Sequence, residues 1–206
     1  MKKFSILVLL IVGLVTVDLF SQSLPPKTIQ LSNAISRDYV TLTARGNGKS
    51  TGLAVSGNLM NKTSQEIFIN VNLNDGFYLS NSGAGQNMIA TQVLYADTRF
   101  YTNGNSKFIS LPPNENVQII FIAFCADFFH DNPRESEEFT WISMPSRLRR
   151  ISSNISRFMA DNLNDFHVKP VQLALWNYQG LSPDLIALKY ESSSSDWSIA
   201  AGILDY

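Results

Sequence analysis

The chain holds one cysteine, Cys125, and two histidines, His130 and His167, and these set the range of chemistry open to it. A thiol becomes a nucleophile or metal ligand when a nearby cation or imidazole lowers its pKa. Asp127 and His130 follow Cys125 closely, so a cysteine hydrolase is one expectation to test. The flanking acids Asp127 and Asp131 disfavour a thiolate. No His-x-x-x-His, Cys-x-x-Cys or Gly-x-Ser-x-Gly pattern accompanies them. The expectation is therefore surface histidines, no metal site and no cofactor. Asp127, Asp131, Glu135, Glu137 and Glu138 supply oxygen atoms of the kind calcium takes, but their spacing is not that of an EF-hand loop. They read as a solvated rim, with Arg147, Arg150 and Arg157 nearby as counter-charges. Left to itself, Cys125 reads as a small core hydrophobe.

A second residue alters that reading. The segment Val171-Gln172-Leu173-Ala174-Leu175-Trp176 places Gln172 in an otherwise apolar helical stretch. A buried glutamine must find hydrogen-bond partners. The pattern Gln172-x-Ala174-x-Trp176 resembles the glutamine motif of bacterial surface thioester domains, with Val171 where that family usually has Thr. The resemblance covers this segment and the region of Cys125. It implies a sandwich carrying inserted helices and an internal Cys-Gln thioester that traps a host amine during adhesion. The thiol would then be Cys125, its acyl partner Gln172, and Trp176 would pack beside them.

These residues need a scaffold, and the chain declares one in sequence order. Met1-Lys2-Lys3, an apolar run from Phe4 to Val17, and small polar residues to Ser23 form a signal peptide over 1–23. The run falls short of the ~20 apolar residues a spanning helix needs. Residues 24–206 then form a single exported domain, placed in the periplasm, on the cell surface or outside the cell. Pro25-Pro26 separates leader from domain.

Residues 27–125 read as short strands punctuated by Gly46-Asn47-Gly48, Asn74-Asp75-Gly76 and Asn103-Gly104 turns. Ile67, Ile69, Val71 and Leu73 alternate onto one face. Val117 to Cys125 is almost continuously apolar and predicts a strand buried on both faces. Residues 127–138 read as a loop. Residues 143–206 then carry helical spacing, beginning with Leu148, Ile151, Ile155 and Phe158. Further helices are expected over 171–179, from Ser182-Pro183 to about Tyr190, and over 196–204. The expected fold is mainly β with helices: an Ig-like antiparallel β-sandwich followed by a C-terminal helical cap.

Composition narrows function. The formal net charge is -1 and 45% of residues are apolar, which excludes a disordered chain and gives nucleic acid or an anionic membrane no basic surface to hold. One cysteine precludes an intramolecular disulfide framework. The sequence thus predicts a binding or interaction module without catalytic activity, its partner an unknown protein or glycan. A thioester-type covalent adhesin using Cys125 and Gln172 is the alternative, and a cysteine hydrolase the third.

Overall fold

The computed structural model describes residues 28–96, 100–103, 106–162 and 167–206. The expected signal peptide over 1–23 lies outside the described residues. Ten strands and five helices are described: β1 (Thr28–Gln30), α1 (Leu31–Ser36), β2 (Val40–Gly46), β3 (Thr51–Asn61), β4 (Ile67–Asn70), β5 (Phe77–Asn81), β6 (Met88–Ala96), β7 (Phe100–Asn103), β8 (Ser106–Leu111), β9 (Asn116–Cys125), β10 (Glu138–Ile142), α2 (Ser146–Asp161), α3 (Val168–Tyr178), α4 (Pro183–Ala187) and α5 (Ser194–Leu204). The class is mixed, with strands dominant and helices gathered toward the C-terminus.

The sheets do not form the expected Ig-like sandwich. Strands β10-β2-β3-β9-β6-β5 close into a six-stranded barrel, and β1-β4-β8-β7 form a separate four-stranded sheet. The difference turns on β10. It begins at the last residue of the stretch read as a loop, and it pairs on one side with β2 (Phe139 opposite Ala44) and on the other with β5 (Thr140 opposite Ser80). That one strand joins both ends of what would otherwise be an open sheet, leaving no free edge. Phe139 is its buried anchor, and Trp141 packs on Phe77 at 5.6 Å between ring centroids.

Strand β9 lies between β3 and β6 and faces two cores. Ile119, Phe121 and Ala123 point into the first, with Leu59, Leu79, Val93 and the inward residues Ile69 and Ile109 of the four-stranded sheet. Ile122, Phe124 and Cys125 belong to the second, which the helices complete with Leu148, Ile151, Ile155, Leu173 and Ile203. Strand alternation divides the run as far as Phe124 between two packing layers, and Cys125, at the strand's end, departs from the alternation to join the second. Gly57 makes the first core possible at one close point. A Cβ there would sit 2.9 Å from the Phe121 ring.

The helices are fixed to the barrel by polar contacts as well as by packing. Gly76 takes φ +72° in the turn before β5, and the Ser152 hydroxyl of α2 donates to the Asp75 carbonyl there at 2.6 Å. Asn154, also on α2, donates to the carbonyls of Ile203 and Leu204, capping the end of α5. The expected ion pairing of the helix arginines with the acidic loop is not what forms. Arg147 donates to Gln179, Arg157 donates to Asn154, and Glu138 pairs with Arg45 on β2. Helix α4 is shorter than expected, ending at Ala187 rather than near Tyr190.

Candidate functional site

Cys125 is the last residue of β9, and there its strand runs out of partners on one side. Register with β6 continues to Met88 opposite Cys125. Register with β3 stops one residue earlier, at Thr51 opposite Phe124. The Gln172 carboxamide takes up bonds at this open position. Cys125 N–H donates to Gln172 Oε1 at 2.8 Å, and Gln172 Nε2 donates to the Cys125 carbonyl at 2.9 Å. One planar amide thus bonds both backbone groups of one residue, as a neighbouring strand would. Both residues are fully buried.

Helix α3 presents Gln172 because almost every face of its central turns is apolar and buried, from Pro170 to Trp176. Trp176 stands one turn beyond Gln172 on the same face. Its ring meets Phe128 edge-on at 5.0 Å and Tyr190 edge-on at 5.3 Å. The structure therefore brings together Cys125, Gln172, Trp176 and the start of the 126–131 loop.

Asp127 and His130 have other tasks. The Asp127 carboxylate accepts from the Asn87 backbone N–H at 3.0 Å and from its side-chain amide at 2.5 Å. Its own carbonyl is the acceptor for the Cys125 thiol, at 3.9 Å. His130 is exposed on the loop, and its carbonyl accepts from Gln86 Nε2 at 2.6 Å. The thiol's hydrogen bond thus goes to a backbone carbonyl rather than to an imidazole. His167 holds the cap position at the start of α3, and its ring lies 5.6 Å from that of Phe158.

The electrostatics match this burial. Burial is the main cause that pushes the Cys125 thiol well above its ordinary value, and the Asp127 charge adds to it; the Asp127 carbonyl and Lys189 pull the other way. The thiol is therefore a neutral S–H at neutral pH. Tyr78 on β5 is pushed up to about 12 by burial, with the Asp127 charge adding. Tyr190 is raised too, chiefly by burial, although its hydrogen bond with Thr51 opposes the shift.

A cavity of about 530 Å³ opens beside Trp176, and Gln86, Phe128, His130, Asp131, Lys189 and Tyr190 are among the residues that line it. Two polar atoms of its lining residues have no hydrogen-bond partner: Gln86 Oε1 and Trp176 Nε1. Of these residues, sequence reasoning reached Trp176, His130 and Asp131. It missed Gln86, Phe128, Lys189 and Tyr190. Only the Phe128-Phe129 pair in an acidic loop was a signal that could have been read. No group of three or more metal-ligating side chains occurs among the described residues.

No protein-family model, curated protein or solved structure matches this chain. Geometry alone therefore carries the functional reading.

Asn61-Lys62-Thr63 and Asn154-Ile155-Ser156 match the Asn-x-Ser/Thr glycosylation triplet, and both begin at buried asparagines. Asn61 is consumed by bonds to the Gln65, Leu111 and Pro112 carbonyls, and Asn154 by the cap of α5.

Proposed function

We propose that the chain works outside the cytoplasm as a thioester-type covalent adhesin, with Cys125 and Gln172 as the reacting pair. One observation carries this reading: the Gln172 carboxamide is bonded to both backbone groups of Cys125. The Cys125 N–H donates to the oxygen that would gain charge in acyl transfer, and on this reading it would serve as an oxyanion donor. The step balances without a co-reactant. The thiol sulfur adds to Gln172 Cδ, the Cδ–Nε2 bond breaks, and the thiol proton leaves with the nitrogen as ammonia. A neutral thiol carries that proton itself. Because both residues are fully buried, a primary amine reaches Cδ only when the packing of α3 on the end of β9 opens; it then forms an amide there and returns the sulfur to a thiol. A lone cysteine outside the cytoplasm would be protected from oxidation while acylated.

The second reading is a non-covalent binding module in which Gln172 merely completes the end of β9. It is favoured by the fact that both bonds from Gln172 run to backbone rather than to sulfur. Intact mass separates the two. The covalent reading expects a mature chain lighter by one ammonia, and methylamine addition that leaves it one CH2 heavier than the unreacted chain and frees one titratable thiol. Full mass, together with a thiol that reacts only on unfolding, sinks the covalent reading and leaves the binding module. The same spectrum locates the N-terminus, expected near Gln22 to Leu24; a chain beginning at Met1 in the membrane fraction would refute export as a cleaved protein.

A further inference from the structure

We infer that the bare outer face of β2, β3 and β9 is an interaction surface for a second copy of this chain, docked face to face about a two-fold axis. The strand registers set its side chains in rows. Thr41 lies opposite Met60 and Met60 opposite Asn116; Thr43 lies opposite Asn58 and Asn58 opposite Gln118. Five of these six are exposed, and Asn58 is partly so. The helices pack further along β9, on Ile122 and Phe124, and leave these rows uncovered. Neither row carries a charge, whereas a solvated surface ordinarily holds about 25–35% charged residues. Charges stand only at the two ends of the face, and each is met within the chain. At one end Lys62, whose backbone N–H donates to the Tyr39 carbonyl, pairs with Asp38; at the other Arg45 pairs with Glu138. These are the two ion pairs among the described residues.

Chemistry and symmetry select the occupant. Tyr39 and Met60 are the large side chains exposed here, at 40% and 43%, and Tyr, Met and Arg are the types protein interfaces favour while Lys, Asp and Glu are depleted. Thr, Asn and Gln side chains both donate and accept, so each row can bond to a row like itself. A two-fold axis that lies across the strands, between the two rows, sets Thr41 over Thr43 of the other copy. It also sets the Asp38 end over Arg45 of the other copy, so that opposite charges meet twice by symmetry. The strands of the two faces then run nearly antiparallel, the geometry of aligned sheet packing. Rows lie about 6.8 Å apart and strands about 4.8 Å apart, so a face of about four rows by three strands offers roughly 400 Å² per copy. That is about half of the ~800 Å² per partner in a standard interface, and the pair is therefore a weak one. The same axis points the Cys125 ends of the two β9 strands in opposite directions, so a pair presents its two sites at opposite ends. The inference holds whether or not Cys125 and Gln172 are joined, because it uses neither.

The test is sedimentation equilibrium of the chain purified from the exported fraction. Between about 10 μM and about 1 mM it should show a monomer–dimer equilibrium with a dissociation constant of roughly 0.1–1 mM. Thr43 is exposed, so Thr43→Lys and Thr43→Glu should each keep a native spectrum. Each alone should weaken the dimer roughly tenfold or more, because like charges then meet across the axis. An equal mixture of the two variants should restore it as a heterodimer. Arg150→Glu on α2, outside the face, should leave the equilibrium unchanged. A chain that stays monomeric up to about 1 mM overturns the inference. So does a dimer that survives Thr43→Lys, which would place the contact elsewhere, and so does one that Arg150→Glu also dissolves. A mixture of the two Thr43 variants that stays monomeric refutes the two-fold arrangement and the inference with it.

Discussion

Replacing Gln172 by Met tests whether the carboxamide holds the end of β9. Met fills a similar volume without polar atoms, so the cavity term is small. What is lost is the partner of two backbone groups on buried Cys125, the N–H at 2.8 Å and the carbonyl at 2.9 Å. Each orphaned buried group costs about 1–3 kcal/mol, giving ~2–6 kcal/mol in all. That is a large share of the ~5–15 kcal/mol that holds a domain together. The measurement belongs in a Cys125→Ala background. Alanine keeps the backbone N–H and carbonyl of residue 125 but removes the sulfur, so hydrogen bonding is separated from any covalent bond. Urea unfolding of the single and double variants gives the difference directly.

Gln172→Glu in the same background adds a pH signature. One carboxyl oxygen can accept from Cys125 N–H, but the other faces a carbonyl and must carry a proton to donate. Burial and that bond raise the folded pKa above the ~4.3 of an unfolded glutamate. The stabilising contribution is then complete below about pH 4.3 and is lost as pH rises through the raised folded value, by ~1.4 kcal/mol per pH unit between the two. A Gln172→Met loss under about 1 kcal/mol, or a Glu variant whose stability relative to the parent is flat from pH 4 to 7, would refute the role assigned to the carboxamide.

Two further outcomes are expected. Phe121→Ala should cost ~3–5 kcal/mol in denaturant unfolding, because the ring is fully buried in the central strand; a loss below about 1 kcal/mol would place β9 at the periphery. Ser193→Ala should cost about 1 kcal/mol by removing the capping box of α5, in which Ser193 and Asp196 bond reciprocally. The Ser193 bonds, backbone first, lower the Asp196 pKa below its ordinary 3.8. Its contribution is therefore present above that value and lost as pH falls through the depressed one, and the Ser193→Ala deficit should shrink in acid. A deficit that is constant down to pH 2 would exclude the carboxylate from the cap.

Much of this architecture was legible where the signal is local. Alternation in Ile67-Phe68-Ile69 and the apolar run of β9 follow from the two-residue period of a strand, and Ile69, Val71, Ile119, Phe121 and Ala123 are all buried. Leu148, Ile151, Ile155 and Phe158 mark the inward face of α2 by helical spacing alone. Closure of the barrel was not legible. Glu138–Ile142 is five residues long, only Phe139 among them is buried, and its partners lie far away in sequence on β2 and β5. Nothing local distinguishes such a strand from loop, yet it decides between sandwich and barrel. Cys125 and Gln172 were each readable as unusual residues. That they meet depends on how α3 docks on the end of β9, a long-range packing outcome that no single segment encodes. The cavity is harder still, since Gln86, Phe128, Trp176 and Tyr190 come from four separate stretches of chain.

The order of the elements along the chain has a consequence for biosynthesis. Cys125 closes β9, but the strand that seals the barrel is β10, and the helix that covers the thiol is α3. A chain emerging from its N-terminus therefore displays the sulfur before either cover exists. Until residue 172 arrives, the last residue of β9 lacks the bonds that hold it, and the thiol is open to any disulfide or electrophile in its surroundings. The fold thus sets a vulnerable interval between synthesis of Cys125 and docking of α3, and chemical loss of the protein should be concentrated in newly made chains rather than in mature ones.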